Sequence, residues 1–228
     1  MRTSNCREQA SARGHMFSRV GGRVALGAAA LVVVAGCTEA QRSPDLDPQA
    51  QFFYELGQLC GNAYQGERVV ERSDRDDMLQ GNEQLVVHFA ECDANQVFAA
   101  FHIGADGGQG EWDRSRTWIY TSYDDYLELR HDHRLEDGSE DTENTMYGGF
   151  TESEGQAADS TLIQRFVFTE REGPDGEQLG WQVEIEPGVR YTYGTYQDDE
   201  WTWRVDFDLS QTVEAPEAAW GHEGGYLN

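Results

Sequence analysis

The densest cluster of polar side chains in this sequence contains two histidines separated by one residue, His131 and His133. Side chains alternate between the two faces of a β-strand, so a His-x-His pair presents both imidazoles on one face. Such a pair can offer two nitrogens to one transition-metal ion, and the acidic segment 136–141 could add a carboxylate. The third ligand and open position of a catalytic zinc or iron site are not identifiable. We therefore predict no cofactor, and metal binding stays open beside hydrogen bonding in a polar barrel end, ligand contact and acid–base work.

The residues around this pair predict where it points. Leu127 and Leu129 share its strand face, so the apolar pattern turns His131 and His133 toward the protein interior, near one end of the fold. Tyr147 follows within the segment 145–149 and is a further candidate for ligand contact.

Three more side chains are candidates for ligand binding. Arg116 could hold a carboxylate or phosphate with its planar fork, or it could form an ion pair at the surface. His88 and His102 lie on neighbouring predicted strands that are apolar on both faces, so alternation does not settle their direction. Each could be a buried, hydrogen-bonded histidine or a ligand contact.

None of the common catalytic motifs is present in the sequence. It has no Gly-x-Ser-x-Gly elbow, Walker loop, dinucleotide fingerprint or His-Glu-x-x-His. No catalytic residue is therefore assigned, and the sequence favours a protein that is not an enzyme without excluding one.

Short strands joined by turns must position these side chains. Apolar residues at helical spacing over residues 49–59 predict one amphipathic helix, and the chain after it alternates in the manner of strands. Strands are predicted over residues 68–71, 84–92, 96–103, 116–122, 126–133, 146–151, 161–169, 181–186, 190–196 and 201–209.

This pattern predicts an all-β fold with one short N-terminal helix. About ten short strands with tight turns indicate an antiparallel meander, which removes its exposed edges by closing into a barrel. We expect a lipocalin-like or calycin-like barrel with the helix as plug or lid, and a β-sandwich is the alternative.

The N-terminus has the layout of an export signal. Arginines precede residues 24–36, thirteen residues without a charge, and this segment is shorter than the about 20 residues that span a bilayer. Val34-Ala35-Gly36-Cys37 then resembles the lipobox of bacterial lipoprotein signal peptides. The resemblance implies cleavage before Cys37 and attachment of lipid, with acyl chains such as palmitate, to that residue. Met16 is a possible true start.

The resemblance implies a signal peptide (1–36) and a lipidated tether (37–51), and the strand pattern and composition predict a barrel domain (52–210) followed by a loose tail (211–228). It implies an exported protein anchored to a membrane by lipid without spanning it. The residue after Cys37 is threonine rather than aspartate, which favours the outer membrane if the source is Gram-negative.

Cys60 and Cys92 are the cysteines that remain after Cys37, and the implied oxidising compartment predicts a disulfide between them. A redox or metal pair is the alternative, although no Cys-x-x-Cys is present. The domain also resembles bacterial lipoproteins that carry a His-Asp-His…Asp-Gly-Ser…Tyr-Gly-Gly pattern, here residues 131–133, 137–139 and 147–149. That resemblance brings no established activity.

The charge balance excludes some partners. The chain has 42 acidic residues and 17 basic ones, all arginine, and the part from residue 37 onward carries a net charge of −29. Such a charge argues against nucleic-acid binding and against adsorption to anionic lipid. The acid excess and the missing lysines together indicate a saline habitat and a GC-rich genome.

The leading hypothesis is a lipid-anchored envelope protein that binds a small or hydrophobic ligand inside a β-barrel. The alternatives are a metal-dependent enzyme that uses His131 and His133, and a structural or assembly partner in the envelope. The oligomeric state is not determined by the sequence.

Overall fold

The computed structural model describes residues 46–70, 79, 81–197 and 199–227. The predicted signal peptide, Cys37 and most of the predicted tether lie outside these residues. The described chain forms helix α1 (Pro48–Gln58), strands β1 (Ala63–Val70), β2 (Gln84–Cys92) and β3 (Gln96–Gly104), the helical turn α2 (Ala105–Gly108), and strands β4 (Trp112–Ser122), β5 (Leu127–His133), β6 (Tyr147–Thr151), β7 (Gln156–Ala158), β8 (Thr161–Glu172), β9 (Gln178–Glu186), β10 (Arg190–Gln197) and β11 (Glu200–Val213).

Ten of these strands close into an antiparallel barrel. Strands β1 to β6 pair in chain order, as do β8 to β11, and the two halves join where β1 pairs with β11 and β6 pairs with β8. The short β7 pairs only with the beginning of β8. The predicted all-β barrel with a short helix is confirmed, and the β-sandwich alternative is wrong because every barrel edge is paired.

Two glycines allow the barrel to close at β6. A Cβ on Gly149 would lie 1.7 Å from the carbonyl oxygen of Val167 on β8, and one on Gly148 would lie 2.0 Å from the carbonyl oxygen of Leu129 on β5. A backbone oxygen cannot move aside without breaking the ladder, so only glycine fits. The Tyr-Gly-Gly segment is therefore required by the fold.

Helix α1 closes one end of the barrel. Asp47 caps the helix by accepting a hydrogen bond from the Ala50 amide at 2.9 Å, and Pro48 begins its first turn. Phe52 and Leu56 are fully buried against the strands, and α1 contacts β7, β8 and β9. The expected plug is thus in place, at the barrel end where β8 begins.

A disulfide joins Cys60, just after α1, to Cys92 at the end of β2, which confirms the predicted pair. It closes a loop of 32 residues in sequence separation. On the chain-entropy model such a loop contributes roughly 3–4 kcal/mol to the free energy of unfolding.

The C-terminal segment differs from the predicted loose tail. Strand β11 extends to Val213, and residues 214–227 then lie along the outside of the barrel. Trp220 donates its amide to the Arg114 carbonyl at 3.0 Å, and the ring of Tyr226 lies 5.6 Å from that of Phe98. Aromatic side chains spaced along this Gly-rich segment hold it to the sheet.

Residues 42–228 form one compact unit. The unit contains all the described strands, the disulfide and the core, so it has the contacts that a domain needs to fold by itself. No helix in the described residues has the length and apolar character needed to cross a bilayer.

Candidate ligand-binding site

The barrel end opposite α1 holds a cavity of about 810 Å³. Its lining comes from the end of β5, β8 and β10 and from the beginning of β4, β6, β9 and β11, which meet at this end because neighbouring strands are antiparallel. Eight of its 18 lining residues are phenylalanine, tyrosine or tryptophan, among them Trp118, Tyr147, Phe168, Trp181, Tyr193 and Trp203. Alternation along each strand turns these rings inward.

The aromatic rings support one another below the cavity. Trp118 stacks on Tyr193 with ring centroids 3.7 Å apart, and Trp181 contacts Phe168 at 4.5 Å. Deeper in the barrel, the hydroxyls of Tyr120 and Tyr191 share a hydrogen bond of 2.5 Å, and burial raises the pKa of both. The interior is therefore filled with side chains below the cavity.

His131 lies in the cavity wall, as its strand face predicted. Its side chain is 7% exposed, and its ring lies 5.1 Å from that of Tyr147. Burial, assisted by the positive charge of Arg116, lowers the pKa of His131 to about 3, so the ring is neutral near pH 7. Nδ1 is buried without a hydrogen-bond partner.

His133 shares the inward face but lies nearer the rim and does not line the cavity. Its ring centroid is 5.4 Å from that of His131, and Nδ1 lies 3.2 Å from Oδ2 of Asp141. Burial lowers the pKa of His133, with Arg116 acting in the same direction. Among the described residues no group of three or more His, Cys, Asp or Glu side chains could hold a metal. A metal at the two histidines stays a prediction, which elemental analysis of the purified protein tests.

Arg116 combines the two roles considered for it. Its Nη1 pairs with Asp113 at 2.5 Å and donates to Ser115 Oγ at 2.9 Å, and its side chain also lines the cavity. Both bonds use Nη1, so Nη2 and Nε have no partner within the described part of the chain. Those two nitrogens form the side of the guanidinium that can hold a carboxylate in two hydrogen bonds.

Arg171, which the sequence analysis did not single out, also lines the cavity. Its guanidinium lies 3.6 Å from the ring centroid of Tyr147. The residue follows a run of alternating side chains on β8, but the pairing of β8 with β9 shifts register between Val167 and Glu172. Alternation therefore fails at this point, and no local signal in the sequence indicates that Arg171 turns toward the cavity.

Asp132, between the two histidines, faces outward and has a structural role. It is 1% exposed and accepts hydrogen bonds from Arg134 Nε and Thr145 Oγ1, each at 3.0 Å. Its Oδ2 also lies 2.6 Å from Nε2 of His222 in the C-terminal segment. The central aspartate of the His-Asp-His pattern thus ties the loop after β5 and the tail to the barrel.

His88 and His102 lie on the outer face of β2 and β3, because their strand neighbours in the core point inward. His102 is fully buried, and neither of its ring nitrogens has a hydrogen-bond partner. Burial lowers the pKa of His102 to about 3. The structure therefore brings Arg116, His131 and Tyr147 together at the cavity and places His88 and His102 elsewhere.

Comparison of this protein with protein-family models, with curated proteins and with solved structures gave no match.

Proposed function

We propose that this protein is a lipid-anchored envelope protein that binds a small hydrophobic ligand in its barrel. The observation that carries the proposal is the cavity of about 810 Å³, to whose wall eight aromatic side chains contribute. Cavities of this size, apolar with a few polar groups, are typical of small-molecule sites. Burial of a ligand against the rings supplies affinity, and the few polar side chains of the wall orient it.

A neutral fluorescent probe tests the cavity directly. N-phenyl-1-naphthylamine gains fluorescence when it leaves water, and we expect saturable binding to residues 42–228 with one probe per chain. Leu179 lines the cavity, so Leu179→Trp fills part of it and weakens binding. Val189, 52% exposed in the turn between β9 and β10, supplies the control Val189→Trp, which leaves binding unchanged. Absence of saturable binding to the folded protein contradicts the proposal.

The anchor is tested separately in cells. In a bacterial host that processes lipoproteins, an alkyne analogue of palmitate is expected to label the full chain, and the chain to sediment with membranes. Cys37→Ser removes both the label and the sedimentation, whereas Cys6→Ser, upstream of the lipobox, removes neither. Label that survives Cys37→Ser refutes the anchor and leaves the cavity proposal standing.

A further inference from the structure

Arg171 differs from other arginines of the described chain in its ion pairing. In the described residues, a carboxylate oxygen lies within 4.0 Å of Arg114, Arg116, Arg130, Arg134, Arg165, Arg190 and Arg204. Arg171 has no such partner there. Its Nη2 donates to the carbonyl oxygen of Glu143 at 3.4 Å, and its face rests on Tyr147.

A missing partner is informative in a protein this acidic. From residue 37 onward there are 41 acidic residues for 12 arginines, so carboxylates are abundant along the chain. The guanidinium of Arg171 nevertheless lies at the cavity, and the described residues accept a hydrogen bond from only one of its nitrogens. Stacking on a ring fixes its plane, which reduces the entropy lost when it binds an anion.

Arg116 supplies a second cation at the same wall. Arg116 and Arg171 line the cavity together with His131 and Tyr147, and the positive charge of each arginine acts to lower the pKa of these two side chains. The unused side of Arg116, formed by Nη2 and Nε, faces no other partner in the described residues. His131 is neutral near pH 7 and adds no charge of its own beside the two arginines.

The wall below these cations is made of rings. Phe168 and Trp203 are only partly buried and present aromatic surface to the cavity, with Trp118, Trp181 and Tyr193 packed in the same wall, and aromatic contacts add to the gain from burial alone. We infer that the ligand of the proposed site is an aromatic acid, with its ring system against this wall and its carboxylate at Arg171 and Arg116. The inference rests on the proposed function and names the chemical class of its ligand.

Two carboxylates also line the cavity, and their positions agree with this assignment. Glu170 forms an ion pair with Arg130, with Oε1 of the glutamate 3.0 Å from Nη1 of the arginine. Glu172 is exposed at the end of β8, where water screens its charge. The carboxylate of a ligand at Arg171 therefore meets one paired and one screened negative charge.

The experiment compares ligands that differ in one group. Isothermal titration calorimetry measures the affinity of residues 42–228 for 2-naphthoate, for the neutral 2-naphthalenemethanol and for the aliphatic decanoate. N-phenyl-1-naphthylamine is the neutral reference probe. We expect 2-naphthoate to bind at least about 10-fold more tightly than the alcohol, the usual effect of a charge-assisted hydrogen bond. Arg171→Gln is expected to abolish this preference and to leave the reference probe bound.

Arg165→Gln is the matched control. Arg165 lies on the same strand and also rests on a tyrosine, Tyr196, at 5.0 Å, but it pairs with Asp199 and does not line the cavity. It should keep the preference for the acid. Circular dichroism and the urea midpoint confirm that each variant is folded.

The possible outcomes test three separate claims: the preference for an acid, the preference for an aromatic ligand, and ligand binding itself. Equal affinity for acid and alcohol, or a preference that survives Arg171→Gln, overturns the inference while probe binding preserves the proposed function. Tighter binding of decanoate than of 2-naphthoate overturns the aromatic part. Failure of the reference probe to bind overturns the proposed function itself.

Discussion

Replacing His102 by leucine should make the protein more resistant to mild acid. His102 is fully buried on the outer face of β3, and its two ring nitrogens have no hydrogen-bond partner. Leucine has a similar volume, and the substitution breaks no hydrogen bond. Near pH 7 we therefore expect His102→Leu to be at least as stable as the unmodified protein.

The magnitude follows from the two pKa values. Burial, with smaller contributions from the positive charges of His88 and Arg114, lowers the pKa of His102 to about 3 in the folded state, against 6.5 for an ordinary histidine. Below about pH 6.5 the unfolded chain binds a proton that the folded protein does not, so the free energy of unfolding falls with pH until about pH 3. The loss is about 1.4 kcal/mol per pH unit, or about 2 kcal/mol between pH 7 and pH 5.

Urea unfolding of residues 42–228 at these two pH values measures the effect. The window stays above the range in which carboxylates are protonated, and about 1 M NaCl screens the repulsion among the acidic residues. His102→Leu should lose about 2 kcal/mol less than the unmodified protein on going from pH 7 to pH 5. His131, whose pKa is also about 3, keeps its own contribution in both proteins.

Phe98→Leu provides the control, since Phe98 lies on the same outer face of β3, against Tyr226, and does not titrate. Its cost should be equal at both pH values. If the unfolding free energies of His102→Leu and the unmodified protein fall in parallel, burial does not hold His102 neutral and the reasoning is refuted.

Three further outcomes are expected. Replacing Cys60 and Cys92 together by serine lowers the free energy of unfolding in urea by roughly 3–4 kcal/mol, and a loss below about 1 kcal/mol contradicts the loop-closure argument. Gly149→Ala places a Cβ on a carbonyl oxygen of β8 and should abolish cooperative thermal unfolding, whereas Gly57→Ala in α1, where the space is open, keeps it. Glu172→Gln should tighten 2-naphthoate binding by about two- to fivefold at low salt and not at about 1 M NaCl, and an equal gain at both salt concentrations excludes an electrostatic cause.

Much of the fold is predictable because its signals are local. Alternation locates the ten barrel strands, but it misses the first five residues of β1 and the last four of β11, and the helix is predicted to begin one residue after its observed beginning at Pro48. Strand β7 and the turn α2 escaped prediction because three or four exposed residues carry no periodic pattern. The tail was predicted as loose because single aromatic residues such as Trp220 indicate no element by themselves.

The candidate site is less predictable than the fold. Strand alternation predicts the inward direction of His131, and residue type makes Arg116 and Tyr147 candidates for ligand contact. His88 and His102 could not be assigned because β2 and β3 are covered on both faces, one by the core and the other in part by the tail, so apolar residues occur on both.

The sequence by itself indicated the ten barrel strands, the inward direction of His131, the two cysteines that form the disulfide and the acidic character, because each depends on residue type, short-range spacing or composition. Only the tertiary structure decided that β6 pairs with β8 across two glycines, that one end of the barrel holds a cavity, and that Arg171 reaches that cavity. These features depend on a register shift and on how side chains from distant strands fill a closed volume. Such packing has no signature in any single stretch of the chain.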